Sequence, residues 1–125
     1  ARNSEKAYTC LKAAWVLRGW RETLERESGT EEKRAELKAQ EKEYLKNAME
    51  GFIAAEAAES FPICGMDDTT LEYLIANLAF GLGKYDIASK LISEILIRPY
   101  ANSRMKDKTR ELKDAILAEL RKNKA

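Results

Sequence analysis

The sequence predicts an all-α protein of five helices arranged as antiparallel hairpins. Three observations carry that prediction. Apolar residues recur at steps of three and four along most of the 125 residues. No window alternates with period two over a useful length, so no sheet is expected. Gly29, Gly83 and Pro99 stand where the periodic segments end.

The first helix is expected from Asn3 or Ser4, either of which suits an N-cap, to Ser28. Ala7, Leu11, Ala14 and Trp15 mark its buried face, and Cys10, Ala13, Leu17 and Trp20 widen that stripe. Gly29 stops it. Thr30 starts a second, long helix to about Glu59, with Glu31 and Glu32 in the first turn, where the helix dipole favours acids. Its first half, EEKRAELKAQEKE, reads as a solvated face because both charge signs are interleaved. The second half turns apolar through Tyr44, Leu45, Ala48, Met49, Phe52, Ile53 and Ala55.

A third helix follows SFPICGM, from about Asp67–Thr69 to Leu82, with Leu71, Leu74, Ile75, Leu78 and Ala79 facing a core. The fourth, Tyr85 to about Arg98, buries Ile87, Ala88, Leu91, Ile92, Ile95 and Leu96 before Pro99 closes it. The fifth, from Asn102 or Ser103 to about Lys122, carries a thinner stripe of Met105, Leu112, Ala115, Ile116, Leu117 and Leu120.

Composition narrows the function classes. Hydrophobic residues make up 45% and charged residues 34%, a globular balance. The 22 basic and 21 acidic residues leave a net charge of +1, against the basic excess of a nucleic-acid binder. There is no histidine, which removes the commonest general base and zinc nitrogen ligand. Cys10 and Cys64 read as two reduced thiols rather than a disulfide. No apolar run approaches the ~20 residues of a membrane span. Because the chain begins at Ala1 without a methionine, it is expected to be either a piece of a longer protein or a product that has lost a tag.

The spacing within the third and fourth helices matches a tetratricopeptide repeat. Tyr85, Ala88, Ile92 and Ile95 fall at second-helix positions, Ile75, Ala76 and Ala79 at first-helix positions, and Pro99 near the closing proline. Small residues such as Ala76 and Ala88 let two helix backbones approach. Leu45, Ala48, Phe52 and Ala55 repeat the second-helix spacing more loosely, and counting from Gly29 sets Ala48 opposite Cys10 or Leu11. One domain over 1–125 is therefore expected: an extended hairpin 3–59, a repeat-like hairpin 67–98 and a capping helix 102–122. Together they would form a tetratricopeptide-like α-α superhelix.

Ala13-Ala14-Trp15 and the stretch FPICGMDDTTLEYLIANLAFGLGKYDIA from Phe61 to Ala88 also resemble the C-terminal part of the bacterial domain-of-unknown-function family 2225 (DUF 2225). The resemblance implies a cytoplasmic bacterial protein with a tetratricopeptide-like tail and no assigned activity. Members also look to have an N-terminal, cysteine-rich, zinc-ribbon-like part. Nothing in this chain matches it, so no metal ligand is placed here.

Cys64 is the one candidate for covalent or redox chemistry, at the start of a helix whose dipole would favour a thiolate. The missing histidine and neighbouring Asp67 and Asp68 oppose that, so it is read as a small hydrophobe wedged with Phe61 and Ile63. Either Asp67 caps the third helix, with Met66 stapling onto Leu71, or Thr69 caps it, with Glu72 completing a capping box. Gly65 suits a positive-φ turn position.

A peptide groove is the remaining candidate, lined by Thr70, Tyr73, Asn77 and Phe80 of the third helix. The matching face of the first helix holds Tyr8, Leu11, Trp15 and Arg18. The late basic residues, Lys106 to Lys124, are interleaved with acids and lack stacking aromatics, as on a solvated helix. The expected protein is thus a non-enzymatic interaction module with a protein or peptide partner, no nucleic-acid or membrane partner and no cofactor. A redox sensor or enzyme using Cys64, or a structural or oligomerisation domain, stands as the alternative.

Overall fold

The structure, a computed structural model, describes residues 2–26 and 31–124. Its helices are α1 (Asn3–Arg26), α2 (Glu31–Ala58), α3 (Asp68–Gly81), α4 (Tyr85–Leu96) and α5 (Ser103–Lys124), with no strand among the described residues. The all-α class and the five helices agree with the sequence. Ser28, Gly29 and Thr30, expected to end one helix and begin the next, lie outside the described residues. Two compact units form, Ala1–Ala58 and Glu59–Ala125.

The first unit is the hairpin of α1 and α2. Ala7, Leu11, Ala14 and Leu17 face Leu37, Ala48, Met49, Phe52 and Ala55, all buried. Where alanines line the contact the backbones come close. A Cβ built on Gly51 would lie 2.8 Å from the Ala7 Cβ. Gly51 against Ala7 is the register expected from Ala48 against Cys10, three residues along each helix. Alanine is the better helix former by about 1 kcal/mol, but overpacking costs about 1–3 kcal/mol. Ala7 has no rotamer with which to yield, so Gly51→Ala should lower stability by about 1–2 kcal/mol in urea denaturation. Gly19→Ala, with open space around the new Cβ, should not.

Three expectations for this unit need correction. Trp15 and Trp20, assigned to the buried face and its widened stripe, are 49% and 60% exposed, and Tyr44 and Ile53 are each 41% exposed. A two-helix hairpin covers only one side of each helix, so a broad stripe keeps one edge in water. Conversely, the charged half of α2 is not wholly solvated. Glu41 is buried, because Arg18 Nε donates to one oxygen at 2.8 Å and Arg21 holds the other at 3.1 Å.

The second unit opens with a tight turn. Ile63 and Met66 exchange backbone hydrogen bonds of 3.0 and 2.9 Å across Cys64 (φ 49°) and Gly65 (φ 75°). Two successive left-handed residues match the twist of a two-residue hairpin. Cys64 at the tip is exposed, and so is Phe61, while only Ile63 is buried. The expected wedge of Phe61, Ile63 and Cys64 is therefore reduced to Ile63. Asp67 is the N-cap of α3, accepting from the Thr70 N–H at 2.8 Å. Thr69 is not, and Glu72 is engaged elsewhere. Asn102 caps α5, its side-chain oxygen accepting from the Met105 N–H at 2.8 Å.

Gly83 (φ 76°) turns the chain from α3 into α4, and Ala76, Ala79 and Ala88 are fully buried at the crossing. Leu71, Ile75, Ile92 and Ile95 fill the space around them, and Leu112 and Ile116 close the unit from α5. Thr109, also fully buried, satisfies its hydroxyl by donating to the Met105 carbonyl at 2.7 Å. Leu117 and Leu120, expected in the core, stay 41% and 38% exposed because α5 packs through its neighbouring stripe.

Candidate functional site

On α3 the candidate residues are only partly available. Asn77 is exposed, whereas Thr70, Tyr73 and Phe80 are half-buried. The Phe80 ring packs against Tyr85, centroids 5.9 Å apart and tilted by 45°. Burial, and then the negative charge of Glu111 on α5, push the Tyr73 hydroxyl above the ordinary tyrosine value of 10. The folded state thus holds this proton longer than the unfolded chain does. Tyr73 contributes stability that is fully present below pH 10 and is lost as pH rises through the folded value. An alkaline titration followed at the tyrosinate band should show two late-ionising tyrosines, Tyr73 and the Asp68-bonded Tyr100, and Tyr73→Phe should remove one of them and flatten the alkaline loss of stability.

The densest polar cluster joins the first turn of α3 to the residues after α4. Arg98 holds Glu72 through two hydrogen bonds, 2.7 and 3.1 Å, and donates to the Thr69 hydroxyl at 3.1 Å. Tyr100 donates to the Asp68 carboxylate, and the Arg98 guanidinium lies 5.4 Å from its ring centroid. That Tyr100 bond, helped by the Thr69 N–H and the Arg98 charge, lowers the Asp68 pKa despite partial burial. Glu72, through its hydrogen bonds and charge, raises the Arg98 pKa. Every charge here has a partner, so the cluster is a clamp rather than a reactive centre. Nothing in the sequence marked it, because Arg98 and Glu72 stand 26 residues apart and meet only when α3 and α4 pair. Among the described residues no group of three His, Cys, Asp or Glu could hold a metal ion.

In the first unit Trp15 is 49% exposed and Tyr8 40%. The Lys12 ammonium lies over the Tyr8 ring at 5.0 Å. Leu11 is buried, and Arg18 is committed to Glu41. The opposite flank of α1 is more open still. Between it and α2 runs a groove whose two hollows, ≈ 660 and ≈ 390 Å³, share Trp20 and Gln40. Val16, Tyr44 and Glu43 line the first hollow, and Leu24, Leu37 and Lys33 the second. Apolar residues on α1 at positions 13, 17, 20 and 24, the steps of four, three and four that also build its buried face, were the available signal for this groove.

No helix of the described residues is long and apolar enough to cross a membrane. No curated protein and no solved structure matches the chain. A family model matches residues 1–116, nearly the whole length, and spans both the Trp15 helix and the FPICGMD turn. The chain therefore belongs to DUF2225, a family of uncharacterised proteins conserved in bacteria.

Proposed function

We propose that the chain is a non-enzymatic, helical-repeat protein–protein interaction module of a cytoplasmic bacterial protein, working through the open face of its first hairpin. The observation that carries this reading is Trp20, 60% exposed at the centre of the groove between α1 and α2. Scattered single hydrophobics on a surface need no explanation, but Val16, Trp20 and Tyr44 line one contiguous groove. Tryptophan is also the residue that most often anchors an interface. The repeat part of the reading is supported by the buried alanines between α3 and α4. Its non-enzymatic part is supported by the lack of histidine and by Glu41 and Glu72, the buried acids, both taken up by arginines.

Trp20→Ala tests it, with Trp15→Ala on the other flank of α1 as the control, since both side chains are exposed enough to be lost with little effect on folding. The expected result is unchanged helicity and thermal unfolding for both, with Trp20→Ala alone losing the proteins captured by the wild-type chain from bacterial extract. Capture indifferent to Trp20→Ala, or unfolding caused by it, would overturn the reading. Tyr73 and Phe80, half-buried against α5 and Tyr85, suit stability measurements better than binding ones.

A further inference from the structure

We infer that the groove between α4 and α5 binds an acidic amphipathic helix of another protein, seated beside Lys113, at a site separate from the α1–α2 face. The basic residues of α5 alternate with acids along the chain, but the helix brings three of them onto one stripe. Steps of four and three from position 106 give Lys106, Arg110, Lys113, Leu117 and Leu120, three cations and then two leucines. Asp107, Glu111 and Asp114 follow the same steps one residue later, on a stripe turned by about 100°. The packing agrees with that division. Glu111 acts on the Tyr73 hydroxyl of α3, whereas Lys113 lines a hollow against α4.

That hollow, ≈ 120 Å³, has buried Ile92 and Ile116 at its base and the exposed Leu117 and Leu120 on its α5 side. It is smaller than the roughly 300–1,000 Å³ of a small-molecule site and takes one large aliphatic side chain of a partner. Ile97, one turn beyond the Ser93 that lines it, continues the α4 edge and is 81% exposed. No acid lines the hollow, and among the described residues no ion pair holds Lys113. Arg110 pairs with Asp107 at 3.0 Å, both well exposed, a contact that contributes little and yields to a partner's carboxylate. Charge and shape together choose the occupant. A flat anionic surface, membrane or nucleic acid, that covered the basic stripe would also meet Asp107 and Asp114 beside it. A helix lying in the groove meets the cations and leucines without them. From Lys106 to Leu120 the stripe is about 21 Å long, matching four turns of helix. Such a helix sets an apolar side chain in the hollow and its carboxylates at the Lys106–Lys113 end.

Selection of a displayed library of peptides about 15 residues long against the 125-residue chain should enrich apolar residues at helical spacing with clustered Asp or Glu. In fluorescence anisotropy the strongest of these peptides should bind Lys113→Glu about 10-fold more weakly than the wild type. The same peptide with lysines in place of its acids should bind Lys113→Glu better than it binds the wild type. Leu117→Glu, which sets a charge at the edge of the hollow, should abolish binding of the acidic peptide. Circular dichroism checks that each variant keeps its helices. Should Leu117→Glu lose them, Lys113→Gln at its exposed position must still weaken the acidic peptide. Enriched peptides without acids, binding indifferent to Lys113→Glu, or a charge swap that fails to restore it would overturn the inference. So would a chain that takes no acidic peptide and instead self-associates, or sediments with phosphatidylglycerol vesicles, through Lys113. Trp20→Ala should leave the peptide's affinity unchanged. If it abolishes binding, the peptide sits on the α1–α2 face, which sinks the α4–α5 site and leaves the role proposed for the first hairpin standing.

Discussion

Glu72→Ala is expected to lower stability by about 3–5 kcal/mol, because it leaves the Arg98 guanidinium without its principal acceptor in a largely buried site. The Arg98 side chain is 14% exposed and that of Glu72 8%, so neither charge can recover full hydration once the other is gone. The geometry sharpens the effect. Both Arg98 terminal nitrogens reach Glu72, and the two parallel bonds are of the charge-assisted, bidentate kind. Arg98→Ala should cost a similar amount. Replacing both together, Glu72→Leu with Arg98→Met, should return most of the loss, since apolar side chains of similar volume remove the uncompensated charge. Urea denaturation followed by circular dichroism measures all three. A double variant no better than the singles would mean that the clamp stabilises by more than charge compensation. The exposed arm of the cluster is different: Tyr100→Phe removes one bond to Asp68 at the surface and should change stability by no more than about 1 kcal/mol.

Phe52→Ala should cost a comparable 3–5 kcal/mol in the first unit. The ring is fully buried in the apolar half of α2, between Met49 and Ala55 on the same face, and truncation leaves a cavity as well as lost apolar burial. The hairpin has little freedom to collapse onto that cavity, because Gly51 already holds α2 in close contact with Ala7. Tyr44→Ala on the same helix provides the contrast. Its ring is 41% exposed on the groove, and its loss should cost well under half as much. If the two substitutions were equally damaging in urea denaturation, the groove side of α2 would be core and not surface.

Much of the architecture could be read from spacing. Ala7, Leu11 and Ala14, and later Ala76, Ala79, Ala88, Ile92 and Ile95, are buried where helical periodicity placed them. Local capping was legible as a short list of options, of which Asp67 proved the cap of α3 and Asn102 that of α5. The candidate residues on α3 were legible as a face, but not how much of it α5 and Tyr85 cover. Periodicity also misplaced Trp15 and Trp20, and the residue-type argument misplaced Cys64. A stripe pattern states which side of a helix is apolar, and it does not state whether a neighbour is there to cover it.

The sequence by itself determined the helices, those of their ends that fall among the described residues to within a residue or two, the hairpin register of α1 on α2, and the family. Each of these is local, set by periodicity, by capping residues, or by small side chains where backbones must approach. Only the tertiary structure decided which charges are buried and which aromatics are left in water. Glu41 reaches Arg18 and Arg21 across 23 and 20 residues, and Glu72 reaches Arg98 across 26. Trp20 is open because no second helix covers that flank of α1 within the hairpin. Burial is a property of the neighbours that a fold brings together, and those neighbours are distant in the chain.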